Sequence, residues 1–138
     1  DMPEDDKESM PDQYKTVSLE EFVEYSKSMF AYWTEDDFAA LFRKMLTIEQ
    51  FRSEEMQGLY QQYLSSGPAA YVKDLFESMG IAHAEENAVR FYATMYFYYS
   101  VYDGADDKEK VKNELASAIS SMAQEWIKQP KLTQIRKS

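Results

Sequence analysis

The chain has 138 residues, 44 % hydrophobic and 15 % aromatic, with four glycines, four prolines and no cysteine. That composition suits one domain with a real core, and so few turn formers favour helices over a β fold. A formal net charge of −10 repels phosphate backbones, so binding of DNA or anionic membrane by the chain alone is excluded. The absence of thiols removes disulfides and thiolate metal sites and fits a reducing, cytoplasmic setting.

Residues 1–17 are polar, with two prolines and a run of acids, and read as a linker. They hold no apolar segment of the kind a secretory signal needs. Ser18 then opens a capping box with Glu21. The helix that follows places Phe22, Tyr25, Met29, Tyr32 and Trp33 at spacings of three and four. It is expected to end near Thr34, which would cap the next helix, with Glu35, Asp36 and Asp37 complementing the first-turn dipole.

The second helix carries Phe38, Leu41, Phe42, Met45 and Leu46, an expected inward face. Ser53 caps a third helix bearing Met56, Leu59, Tyr60, Tyr63 and Leu64. "SSGP" ends it, with Gly67 as the terminating residue and Pro68 in a new first turn. The fourth helix holds Tyr71, Val72, Leu75, Phe76 and Met79 and closes at Gly80.

A fifth helix spans Ala84 to Asp103 and contains "FYATMYFYYSVYDG", in which no charge falls between Phe91 and Asp103. On a helical wheel, Ala88, Phe91, Tyr92, Met95, Tyr99 and Tyr102 share one face. Val89, Ala93, Tyr96, Phe97 and Ser100 share a second, and only Arg90 and Thr94 leave a polar strip. The run falls short of the ~20 apolar residues of a membrane span and lacks the basic residues of a nucleic-acid stacking platform. A sixth helix, capped by Asp106 with Glu109, repeats the two-sidedness. Val111, Leu115, Met122 and Trp126 form a bulky stripe, and Ala116, Ile119, Ser120, Ala123 and Ile127 a smaller one. Residues 129–138 are basic and weakly patterned, a tail. The expected fold is therefore all-α, about six helices over 18–128, with no membrane contact.

The segments "LFRKMLTIEQFRSEEMQGLYQQYL" (41–64), "YVKDLFESMG" (71–80) and "AVRFYATMYFYYSVYDG" (88–104) resemble, in order and spacing, the C-terminal domain of TetR-family transcriptional regulators. The resemblance implies a ligand-sensing, dimerising helical bundle whose last two helices build a four-helix bundle with a second copy. It also implies that DNA is reached only through an N-terminal helix-turn-helix, which is missing from this chain, residues 1–17 being what remains of the connection. The full-length protein would then be a repressor.

The expected dimer interface is Val89, Ala93, Tyr96, Phe97, Ser100, Ala116, Ile119, Ser120, Ala123 and Ile127. The expected ligand-binding residues are Met29, Trp33, Phe42, Met45, Tyr60, Tyr63, Tyr92, Met95 and Tyr99. They suit a small, largely apolar or aromatic effector with a few polar atoms. For any one of them, ordinary core packing is the competing reading.

His83 is the single histidine and reads as a solvated loop residue, not a metal ligand. Asp103, Asp106 and Asp107 do not match a calcium loop and read as helix termination and capping. No nucleophile–base pair or phosphate loop is present, so neither an enzyme nor a cofactor is expected, although carboxylates paired in space would be invisible here. A helical protein-interaction module without a small-molecule site is the alternative function.

Overall fold

A computed structural model describes residues 17–128, and every regular element in that range is an α-helix. They are α1 (Leu19–Glu35), α2 (Asp37–Glu49), α3 (Glu54–Leu64), α4 (Ser66–Ser78), α5 (Ala84–Gly104) and α6 (Lys108–Lys128). The expected linker up to residue 16 and the tail at 129–138 lie outside the described residues.

The helix starts show how local chemistry sets the boundaries. The Ser18 hydroxyl accepts from the Glu21 amide at 3.0 Å, and the Glu21 carboxylate accepts from the Ser18 amide at 3.0 Å. Ser53 caps α3 by accepting from the Met56 amide at 3.1 Å. Two caps lie away from where the pattern put them. Asp36, not Thr34, caps α2, accepting from the Ala39 amide at 2.9 Å. Thr34 instead stays within α1, and its hydroxyl donates to the Phe30 carbonyl at 2.6 Å. At α6 the cap is Asp107, which accepts from the Lys110 amide at 3.1 Å, not Asp106. Aspartate ranks above threonine as a helix cap, which accounts for Asp36 over Thr34.

Gly67 lies inside the first turn of α4 and does not terminate α3; Ser65 holds the junction. A Cβ at position 67 would sit 2.2 Å from the Gln62 carbonyl oxygen, so the tight α3–α4 corner needs glycine for space. Gly80 adopts φ 78°, the left-handed end expected after α4.

The main core is a joint between four helices. Phe22 of α1, Phe76 of α4, Phe91 of α5 and Trp126 of α6 pack edge to face or tilted, with ring centroids 4.6 Å apart for Phe76–Trp126 and 5.0 Å for Phe22–Phe91. α5 sits at the centre, packed against α1, α4 and α6. Its buried face is Ala88, Phe91, Met95, Tyr99 and Tyr102, as the wheel indicated, while Val89, Ala93, Tyr96, Phe97 and Ser100 are exposed. A smaller core, Leu46 with Tyr60 and Leu64, joins α2 to α3.

Three faces differ from expectation. α1 buries Phe22, Ser26, Phe30 and Thr34, while Tyr25 and Tyr32 are exposed. Ser26 tolerates burial because its hydroxyl donates to the Phe22 carbonyl at 2.8 Å, as Thr34 does to Phe30, so neither polar group is left unpaired. α2 buries Ala39, Arg43 and Leu46, while Phe38, Leu41 and Met45 face solvent. On α6, Ile119 and Ala123 are buried in the chain's own core, because α1 packs over that side. They are therefore withdrawn from the interface set. Ala116 is half-buried, and only Ser120 and Ile127 of that stripe are exposed.

Candidate functional site: an aromatic cavity beside a buried arginine

The cavity of interest lies between α1, α3, α4 and α5. It is a cleft of about 270 Å³, open on the side of the exposed Tyr25, Tyr63 and Tyr71, and is lined by Phe22, Tyr25, Ser26, Met29 and Trp33 of α1, Gln62 and Tyr63 of α3, Gly67, Pro68, Tyr71 and Val72 of α4, and Phe91, Tyr92, Met95 and Tyr99 of α5. No lining residue carries a charge. Two features leave this space open. The α3–α4 corner turns Gly67 and Pro68, not bulky side chains, toward the cavity, and Ser26 stands in α1 where a larger residue would fill the gap.

Six of the nine expected ligand-binding residues meet here: Met29, Trp33, Tyr63, Tyr92, Met95 and Tyr99. The other three do not. Phe42 stands behind the wall, its ring 5.4 Å from Tyr63 and 6.5 Å from Trp33. Tyr60 is buried in the α2–α3 core, with its hydroxyl bonded to that of Tyr96. Met45 faces solvent, because α2 turns its other side inward. The sequence pattern marked Gly67 and Pro68 only as a helix boundary and did not single out Ser26 or Gln62.

Two tyrosines of the lining are held by specific contacts. The Tyr92 hydroxyl donates to the Leu64 carbonyl at 2.5 Å, so α5 holds the last turn of α3. Tyr99 is sandwiched. Its ring stacks on Phe30 at 5.4 Å with an interplanar angle of 5°, and the Arg43 guanidinium lies 4.9 Å from its centroid. Burial pushes the Tyr99 hydroxyl well above the usual tyrosine range, with Arg43 pulling the other way. Burial does the same to Tyr92, reinforced by Tyr99, Tyr60 and Tyr96. Tyr60 is raised by burial and then by its bond to Tyr96. These phenols therefore stay neutral donors throughout the neutral range.

Arg43 is the residue that pattern reading missed. It is 4 % exposed on an α2 face otherwise apolar. Its Nη1 and Nη2 donate to Asp103 Oδ2 and Oδ1 at 2.9 and 2.8 Å, and its Nε donates to the Trp33 carbonyl at 3.0 Å. Asp103 is thus the fork partner of a buried arginine and not merely a helix-ending acid. The signal was a single arginine amid apolar neighbours, and its partner lies 60 residues away.

His83 caps nothing with its side chain, is exposed, and adopts φ 53°. Among the described residues no group of three metal-ligating side chains is poised for an ion, and no helix is long and apolar enough to cross a membrane. No protein-family model, no curated protein and no solved structure matches the chain.

Asp103→Ala should leave the Arg43 guanidinium without its carboxylate and, because the Asp103 side chain is partly solvated, cost about 1–2 kcal/mol in urea unfolding. Arg43→Met combined with Asp103→Leu should cost less than the single change, since no buried charge is then orphaned. Alkaline pH gives a second check. Unfolded tyrosines lose their protons near pH 10, while folded Tyr92 and Tyr99 hold theirs, so above that pH the folded state binds more protons. Stability is then fully present below about pH 10 and falls as pH rises beyond it. Tyr99→Phe should make that fall shallower in denaturation followed by circular dichroism.

Proposed function

We propose that this chain is the effector-binding and dimerisation domain of a TetR-type transcriptional regulator, acting in the full-length protein as a repressor. The observation that carries this reading is the double use of α5. Tyr92, Met95 and Tyr99 line the cavity, while Val89, Ala93, Phe97 and Ser100 form an exposed face on the other side of the same helix. A molecule seated in the cavity presses on the helix that also meets the second copy. Such an arrangement couples a ligand to the geometry of a dimer.

The lining sets the effector's chemistry. With no charge present, the site suits a neutral molecule, and the aromatic walls suit planar rings. At about 270 Å³ the space is just below the ~300 Å³ where ligand sites usually begin, so the effector is small, on the scale of two fused rings. Gln62 offers directed hydrogen bonds, and a phenol that already donates, as Tyr92 does, still accepts. The dimer face is narrower than the sequence pattern suggested: Val89, Ala93, Tyr96, Phe97 and Ser100 of α5, with Ser120 and Ile127 of α6 at its margin.

Native mass spectrometry with a panel of neutral two-ring aromatics should find a dimer that takes up one ligand per chain. Met29→Trp, which fills the cavity, should weaken uptake at least tenfold and leave the dimer intact. Phe97→Glu should give monomers that still bind ligand. A wild-type monomer, or uptake unchanged in Met29→Trp, would contradict the reading. So would a full-length coding sequence with no basic helix-turn-helix ahead of this segment.

A further inference from the structure

α2 presents an apolar stripe that neither the cavity nor the proposed dimer face uses. Phe38, Leu41 and Ile48 are 72 %, 68 % and 75 % exposed, Met45 lies between them, and Phe51, in the turn just past the helix, is 85 % exposed. Their spacing of three and four residues runs the whole length of the helix. The helix is not loosely placed. On its opposite side Leu46 is fully buried and Arg43 is clamped to Asp103, so the stripe cannot rotate inward without breaking that pair. Phe38 is also held, stacked on Phe42 with an interplanar angle of 8°. An ordered apolar face of this extent on a −10 chain is a docking surface in search of a partner.

Size and charge select the partner. The five side chains expose roughly 700 Å², close to the ~800 Å² that each side of a standard interface contributes. The 13-residue helix is ~20 Å long, which matches one partner helix of about four turns laid alongside it. Its ends and the adjoining start of α3 carry Asp37, Glu54 and Glu55 together with Glu35, which pairs with Lys112, Asp36, which caps the helix, and Glu49, against Lys44 and Arg52. Arg52 is already bonded to Glu49. A second copy of this chain would bring the same acidic rim against its own, and an anionic membrane would be repelled. The geometry points to an amphipathic helix of another polypeptide, with an apolar stripe for α2 and basic residues at its flanks, as the occupant of the Phe38–Phe51 face. This inference is independent of the effector reading and would stand if the cavity proved empty of ligand.

The test uses a labelled 14-residue model peptide of leucines at helical spacing flanked by lysines, titrated by fluorescence anisotropy. Saturable binding of one peptide per chain is expected, and a sibling with glutamate in place of each lysine should bind at least tenfold more weakly. L41E/I48E should lose at least tenfold in affinity, even though it adds negative charge that would strengthen purely electrostatic attraction. V89E/F97E, on the α5 face, should bind like wild type. Both variants change exposed positions, and circular dichroism checks that helicity is kept. Equal binding by wild type and L41E/I48E, or equal binding of both peptides, would overturn the proposal. Sedimentation showing that L41E/I48E abolishes self-association while V89E/F97E does not would assign the stripe to a second copy instead.

Discussion

The bidentate pair between Arg43 and Asp103 is the constraint on which the arrangement of the outer helices rests. α2 packs on α1 and α3 and meets the central helix α5 chiefly through this pair and the Arg43–Tyr99 contact. A buried guanidinium is costly unless it is paired, and here two elements hold it: the end of α1 through the Trp33 carbonyl, and α5 through the Asp103 carboxylate and the Tyr99 ring. That need fixes which side of α2 faces in. The apolar residues Phe38, Leu41 and Met45 are turned outward as a result.

Tyr99 links this clamp to the cavity. One part of its ring environment is Arg43 and Phe30, and another is open cavity. Tyr92 ties the α3 terminus to α5 a turn and more away, and the Tyr60–Tyr96 bond joins the same helices from the other flank. The α2–α3 layer is thus fastened to α5 by oriented polar contacts, while α4, α5, α6 and α1 are fused through the Phe22–Phe76–Phe91–Trp126 joint. Oriented contacts have narrower tolerances than apolar packing. A ligand between the layers therefore acts on the clamp more readily than on the joint.

The helices themselves were legible because their signals are local. Ser18 with Glu21, Ser53, Gly80 and the periodicity of α5 each encode a boundary or a face within a few residues. The two faces of α5 were separable on a wheel because bulky and small residues segregate. The inward side of α2 was not legible: hydrophobicity favoured Phe38, Leu41 and Met45, and only a partner 60 residues away makes Arg43 the inward residue. Ile119 and Ala123 were misplaced for a related reason. Small side chains suit a subunit interface and an intrachain helix crossing equally well, and α1 provides the crossing. Six cavity residues were legible as aromatics or methionines at helical spacing. Ser26 and Gly67, which open the space, act through what they do not fill.

Amide hydrogen exchange, with and without a bound two-ring aromatic, tests most directly whether the cavity is a ligand site that communicates with the outer layer. The account predicts slowed exchange in α3, in α2 around Arg43 and in the C-terminal half of α5, with α6 little changed. Protection confined to α6, or no change in α2 and α3 under saturating ligand, would contradict it.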